Sequence, residues 1–307
     1  MDIAPPPPRE TRRTSSQREK RVFRQDRTET GGSRVLRGIR LPKRSAILGI
    51  LVFALALALG ACGKGQEAAN SAGSPAADAG GKVYVVGTDA AYKPFEYVNE
   101  KGEIVGSDIE LIKKLAEIGG FRVDIRNIGW DALFQAVQNG EVDIAISAIT
   151  ITDERKKTYD FTQPYFEAHQ LIVSRADNPV RSVEDLKNGT FPVGVQNGTT
   201  GHEVVKKILG DTNPRIRSFE NTPYALKELE NGGVDAVVAD NAVVELYVKE
   251  NPGSNLVTAD DPMFEKEYYG IMVKKGNAEL LNLLNSALDK AKEQGLLKQI
   301  FGEGAVE

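Results

Sequence analysis

The stretch Ala132–Ile146, ALFQAVQNGEVDIAI, returns in altered form at Ala225–Val238, ALKELENGGVDAVV. Each copy reads as a short amphipathic helix, an Asn-Gly stop, and a Val-Asp pair leading an apolar run. Gly after Asn ends a helix by taking the left-handed conformation. An uninterrupted apolar run of this length suits a strand buried on both faces of a parallel sheet. The copies differ by one residue in length. By itself the echo says only that similar α/β pieces recur in the chain.

Outward from the first copy the same alternation continues. Lys82–Gly87 is a strand candidate rich in β-branched residues. Ser107-Asp108-Ile109-Glu110 predicts a capping box, with Ser107 as N-cap and Glu110 at N3. It would open a helix that buries Ile109, Ile112, Leu115, Ala116 and Ile118 and stops at Gly119-Gly120. Phe121–Ile125 predicts a strand, Asp131–Gln138 a helix and Val142–Ser147 a buried strand. Around the second copy, Ser182–Leu186 predicts a helical turn and Phe191–Val195 a strand. Helix Thr200–Leu209, strand Arg215–Phe219, helix Thr222–Glu230, strand Val234–Val238 and helix Asn241–Lys249 follow. Tyr268–Val273 returns as a strand, and Ala278–Gln294 is a long amphipathic helix. The fold class is therefore α/β.

Charge divides the chain differently. Of 307 residues, 39 are Lys or Arg and 43 Asp or Glu, a formal charge of −4. Residues 1–44 hold 13 basic and 5 acidic residues, and residues 45–307 hold 26 and 38. The basic front, with its run Pro5–Pro8, has too few apolar residues to build a core and reads as disorder. Ser45–Gly60 is uncharged and a little short of a bilayer-spanning helix. Basic flank, apolar run at 45–61 and then the single cysteine, Cys62, read as a secretory signal. The long basic front is unusual before such a signal, and a start near Val35, Leu36 or Leu41 would give one of ordinary length. Residues 62–81 are small and polar and read as a flexible tether. The acidity after Cys62 argues against a nucleic-acid partner. One Cys and two His argue against a disulfide framework and a histidine metal site, and there is no HExxH, GxGxxG, P-loop or GxSxG. No cofactor and no catalytic pair is expected.

Two resemblances add to this. Leu59-Gly60-Ala61-Cys62 resembles the bacterial lipobox, which implies lipidation of Cys62 and a membrane-anchored protein facing the periplasm or cell exterior. The second is carried by Gly106–Leu111, by Gly129–Ile144 and above all by AITITDERKK at Ala148–Lys157, followed by YDFTQPY at Tyr159–Tyr165. With Gln196–Thr199 and Val234–Val237, these stretches resemble the bacterial extracellular solute-binding proteins of family 3, the polar amino-acid binders of ABC importers. The likeness implies a clamshell of the type II periplasmic-binding-protein kind, two α/β lobes joined by two hinge strands. Lobe one would be 82–170 and 266–307, and lobe two 173–262. It implies a monomer that binds a free amino acid and docks on a permease with its ATPase, and that is not an enzyme.

The resemblance also assigns residues. Arg155 would fork onto the solute's α-carboxylate, as a planar guanidinium suits, with Asp153 capping the short helix around it. Thr150, the backbone at Ala148, Thr199 and the helix start at Thr200 would add donors. Asp240 would accept from the α-ammonium. Asp89, Tyr92 and Trp130 would meet the side chain, the two rings facing each other across it. Asp108 would touch a cationic end or organise its loop, and Gln196 would touch the side chain. The bland readings are caps and turns for Thr199 and Asp240 and a core role for Trp130. Arg or Lys is the favoured solute, Gln the next. A sensor domain and a dehydratase-like enzyme on the same scaffold are the rival functions.

Overall fold

The computed structural model describes residues 81–307. The expectations for 1–44, for 45–61, for lipidation at Cys62 and for the tether up to Gly81 lie outside the described residues, Gly81 itself excepted. In chain order the elements are β1 (Val83–Thr88), β2 (Ala91–Tyr92), β3 (Glu96–Val98), β4 (Ile104–Val105), α1 (Ser107–Gly119), β5 (Arg122–Asn127), α2 (Trp130–Asn139) and β6 (Ile144–Ala145). Then come α3 (Asp153–Thr158), β7 (Tyr159–Phe161), β8 (Phe166–Ala168), β9 (Gln170–Arg175), α4 (Val183–Asn188), β10 (Val193–Gln196), α5 (Thr200–Leu209), β11 (Ile216–Phe219) and α6 (Thr222–Glu230). The chain continues with β12 (Ala236–Asp240), α7 (Asn241–Glu250), β13 (Leu256–Ala259), β14 (Glu267–Tyr269), β15 (Met272–Lys274), α8 (Ala278–Glu293) and α9 (Leu296–Phe301).

Two five-stranded sheets result, ordered β5-β1-β6-β15-β7 and β11-β10-β12-β9-β13. Their topologies correspond strand for strand. The first three strands of each are parallel. The fourth and fifth join antiparallel. The fourth strand is in each case supplied by a segment that has just crossed over: β8 leads out to β9, and β14 leads back to β15. β8 and β14 pair with each other, Glu267 opposite Ala168 and Tyr269 opposite Phe166, and form the two-stranded hinge. The molecule is a two-lobed clamshell with two crossing strands.

The second sheet shows why its strands are apolar throughout. Along β9, Leu171 and Val173 pack with α6, while Ile172 packs on the other face with Val183, Val193 and Val205. Helices cover both faces, so both side-chain sets are buried. In lobe one, α8 lays Leu280, Leu284, Leu288 and Ala291 on the core that α1 also buries, at helical spacing.

Three local expectations are corrected. Ser107 is not the N-cap of α1. Gly106 is, at φ 130° and without a side-chain cap bond. A Cβ there would lie 2.2 Å from the Phe95 carbonyl oxygen. Only glycine fits so close to the Pro94–Phe95 backbone, so the helix starts one residue early and the Ser107 hydroxyl turns to Pro94 O at 3.5 Å. The Val142–Ser147 run pairs as a strand only at Ile144–Ala145, because the chain turns at Ala148 with φ 48°. Tyr268–Val273 splits into β14 and β15 at Gly270, whose Cβ would meet Ile151 Cδ1 at 2.7 Å.

Candidate functional site

A narrow cavity lies where the strand ends of the two sheets face each other. It is lined by Asp89, Tyr92, Trp130, Ala148, Thr150, Arg155, Gln196, Thr199, Thr200 and Asp240, together with Glu96 and Ser147. The structure thus gathers all the candidate residues around one space except Asp108, and adds two.

Arg155 is placed by α3. The cap of that helix is Thr152, whose Oγ1 accepts from Arg155 N at 3.1 Å; Asp153, expected to cap, is the first helical residue and faces Lys156. β-Region backbone at Thr152 lets its short hydroxyl reach the third amide on. The guanidinium lies 5.4 Å from the Trp130 ring centroid and 5.3 Å from that of Phe134. Its Nη1 donates to Thr150 O at 2.8 Å and its Nη2 to Gly198 O, on the other lobe, at 3.3 Å. Burial pulls its pKa down, and Glu267, Asp240 and Glu203 oppose that at longer range. Among the described residues no carboxylate forms an ion pair with it.

Asp240 ends β12 at the N-cap position of α7, yet makes no side-chain cap bond. Its Oδ1 accepts from Gln170 Nε2 at 2.5 Å and its Oδ2 from the Tyr269 hydroxyl. The hinge strand β14, through Tyr269, and Gln170 at the start of β9, just beyond β8, therefore hold it. Burial raises its pKa first, and Glu267 adds to the rise, while bonds from Tyr269, Gln170 and Tyr92 lower it. The Tyr92 ring packs on Phe95 at 6.3 Å. Tyr92 thus turns its hydroxyl toward lobe two and its face toward the lobe-one core. Trp130, 8% exposed, packs edge-on to Phe134 at 4.9 Å and stacks with Arg155, so its face serves the guanidinium as well as the core.

Several expected donors are engaged within the protein. The Ala148 N–H donates to Asp108 Oδ2 at 2.8 Å. Asp108 is fully buried behind the cavity and also accepts from Tyr165 OH at 2.8 Å, so it organises the loop that carries Thr150. A non-glycine residue at positive φ is strained, and this bond from Asp108 helps hold Ala148 there. The Thr199 hydroxyl accepts from His202 N and donates to Gln196 O, the cap-and-turn arrangement. The N–H groups of Thr200 and Gly201, at the start of α5, have no protein acceptor among the described residues. Gln196 Oε1 accepts from both N and Oγ1 of Thr222, which fixes its amide so that Nε2 donates across the cleft to Asp89 Oδ2 at 3.3 Å.

Glu96 and Ser147 were not singled out from sequence. Glu96 sits on β3, fully buried, and Ser147 Oγ donates to its Oε1 at 3.0 Å. Glu96 Oε2 and Asp108 Oδ1 are buried without a donor. A proton held between the two carboxyls accounts for both oxygens, and it agrees with the strong rise of the Glu96 pKa, caused first by burial and then by Asp108. Burial raises Asp108 to about 6 and Asp89 also to about 6. The only sequence signal for Glu96 was an acidic residue between Phe95 and Tyr97 in a β-like run, which alternation places on the face opposite the tyrosine.

Residues 84–303 match the bacterial extracellular solute-binding proteins, family 3. The chain belongs to this family. A probable histidine-binding protein of Neisseria gonorrhoeae is 44% identical over 81% of this chain and 91% of its own. The arginine-binding extracellular protein ArtP of Bacillus subtilis (strain 168) is 32% identical over 83% of this chain and 95% of its own. The crystal structure of the arginine-, lysine-, histidine-binding protein ArtJ of Geobacillus stearothermophilus superposes with a TM-score of 0.69 at 47% identity, covering 73% of this chain and 95% of that one. The fold is the type II periplasmic-binding-protein clamshell of these relatives, which are binding proteins and not enzymes. Family membership places the chain among amino-acid solute-binding proteins of ABC transporters, on the periplasmic or extracellular side of the membrane. Among the described residues no helix is long and apolar enough to cross a membrane.

Proposed function

We propose that the cleft binds an amino acid with a cationic side chain and that the loaded protein delivers it to an ABC permease. One observation carries this reading: the charges lining the cavity do not pair with one another. Among the described residues Arg155 faces it without a carboxylate, while Asp89 and Asp240 face it without a cation. A buried charge is stable only with its counter-charge. A solute α-carboxylate would take Arg155 and the free N–H groups at the start of α5, and an α-ammonium would take Asp240. Asp89 is then left for a guanidinium, ammonium or imidazolium, and Glu96 beside it can join once such a cation takes the place of the proton it holds without solute. The relatives named for arginine and histidine support the same class. Glutamine is the second reading, favoured by Asp89, which already accepts an amide N–H from Gln196.

The partners are a permease with its ATPase, and the anchor is lipid on Cys62, on the strength of Leu59-Gly60-Ala61-Cys62. Lobe one at 82–170 with 266–307, and lobe two at 173–262, are the bodies that close on the solute. The test is calorimetry of the protein, unfolded and refolded to strip bound solute, against all amino acids and ornithine. Tight binding of arginine, lysine or histidine is expected. Binding of glutamine alone would move the assignment to the second reading, and heat from none of them would remove it.

A further inference from the structure

Glu267 does not line the cavity, and the recognition scheme above does not use it. Four parts of the chain nevertheless meet on its carboxylate. Oε2 accepts from Thr150 Oγ1 at 2.8 Å and from Thr200 Oγ1 at 2.6 Å. Oε1 accepts from Gln170 Nε2 at 3.1 Å. Thr150 follows β6 in lobe one, and Thr200 opens α5 in lobe two. Gln170 opens β9 just beyond the outgoing crossing, and Glu267 itself opens β14 on the returning one. The two threonine oxygens stand 3.5 Å apart.

A hydroxyl has one hydrogen to give. Both threonines give theirs to the same carboxylate oxygen, so neither keeps one for a solute's carboxylate. A hydrogen bond to an ionised acceptor is also the stronger kind. If the lobes swing apart about β8 and β14, Thr150 and Thr200 separate, and one carboxylate oxygen no longer reaches both. The three-way contact therefore belongs to the closed arrangement alone.

We propose that Glu267 is a closure clasp, a positioning residue that ties Thr150 of lobe one to Thr200 of lobe two through the hinge and so favours the closed clamshell by protein contacts alone. Thr150 and Thr200 then serve closure with their hydroxyls, and the solute's carboxylate is met by Arg155 and backbone N–H groups. A clasp that populates the binding-competent form raises apparent affinity by the same factor. The mechanism rests on the solute-binding reading only for that last consequence, since the clasp itself is a property of the protein without solute.

The test is hydrogen-exchange mass spectrometry on the full chain with no amino acid added, reading the segments 147–152 and 197–203. Glu267→Ala accelerates exchange in both by about tenfold and leaves β1 and β10 as they were. Glu267→Gln keeps an oxygen that can accept both hydroxyls and gives a smaller acceleration. Thr200→Val accelerates the same two segments as much as Glu267→Ala, and the double variant goes no further, because both remove one shared contact. Unchanged exchange, a rise spread evenly over both sheets, or additivity in the double variant would each overturn the clasp. If Glu267→Ala does not fold, Glu267→Gln and Thr200→Val carry the same comparison. Arginine titration of the wild type is read separately. A wild type that binds no amino acid undermines the proposed function and leaves the exchange result standing. A wild type that binds arginine as tightly as Glu267→Ala, with exchange unaltered, removes the clasp alone.

Discussion

The two lobes are built on one topology, but they connect their strands differently. After its first parallel strand, β10, lobe two passes to a helix through Asn197–Thr199. After β1, lobe one takes the whole path from Asp89 to Gly106, and folds β2, β3 and β4 into a small antiparallel sheet on the way. At the third strand the contrast returns. β12 runs straight into α7 and leaves Asp240 at the junction, whereas β6 is followed by a turn at Ala148 and a loop that sets out Thr150 and Arg155. Equal cores thus present unequal rims. Lobe two contributes one fixed acid and a helix start. Lobe one contributes the guanidinium and, from its long connection, Tyr92 and Glu96.

The largest expected effect tests that division at its centre. Arg155→Ala removes what is, among the described residues, the one cation that lines the cavity, and arginine affinity by calorimetry should fall about a hundredfold or more, as for truncation of one member of a buried charge pair. The thermal midpoint should fall only slightly, since the guanidinium has no carboxylate partner to lose, only its bonds to Thr150 O and Gly198 O and its contacts with Trp130 and Phe134. A variant that binds normally would mean that lobe one does not read the carboxylate. Asp240→Asn comes next. Affinity should drop about thirtyfold, and the midpoint should fall as well, because Gln170 and Tyr269 lose a charged acceptor. Equal loss of stability in the two variants would break the contrast between a rim charge with no ionic partner and one wired to the hinge.

Glu96→Gln addresses the long connection alone. A cationic solute would draw off the proton that Glu96 holds, and Gln cannot ionise, so the variant should weaken arginine about tenfold while glutamine changes little, and the ratio of the two affinities is the quantity to measure. A parallel fall for both would make Glu96 a structural acid. The smallest effect is the pH response. Asp89 titrates at about 6, above an ordinary aspartate. The folded protein therefore holds a proton that the unfolded chain releases, and solute-free stability declines as pH rises from about 4 through about 6. A cationic solute wants that proton gone. Arginine affinity should accordingly rise by up to about tenfold per pH unit below about 6 and then level off. Calorimetry in buffers of different ionisation enthalpy should show proton release on binding, and its absence at pH 5.5 would detach Asp89 from the solute.

The sequence carried the architecture well because the helices announce themselves by period and stop. Thr200–Leu209 and Thr222–Glu230 run between the expected bounds. Arg155 and Asp240 were legible through their motifs, and so was their common neighbourhood, because each follows the third strand of its own α/β unit. What was hidden depends on approach between distant backbones. Ser107 looks like a cap until the Phe95 carbonyl is seen against Gly106. The Ala148 N–H looks available until Asp108 is found behind it. Glu267 lies in Glu265-Lys266-Glu267, a charged run that reads as solvated surface, and only the hinge crossing turns it inward. Local pattern specifies elements, whereas the partners of a polar atom are set by register and crossing.

The small sheet of β2, β3 and β4 has a further use. It begins and ends on lobe one, between a strand and a helix whose own contacts are with that lobe's core. The guanidinium at Arg155 and the acid at Asp240 come from other connections. Of the groups proposed to meet the solute's side chain, Tyr92 and Glu96 therefore sit on a segment separate from Arg155 and Asp240, and Asp89 lies directly ahead of that segment. Exchange of Asp89–Val105, with Gly106 kept as its boundary and Phe95 kept against Phe166 and Tyr269, is therefore the compact graft with which to retune the protein as a sensor for a different cargo.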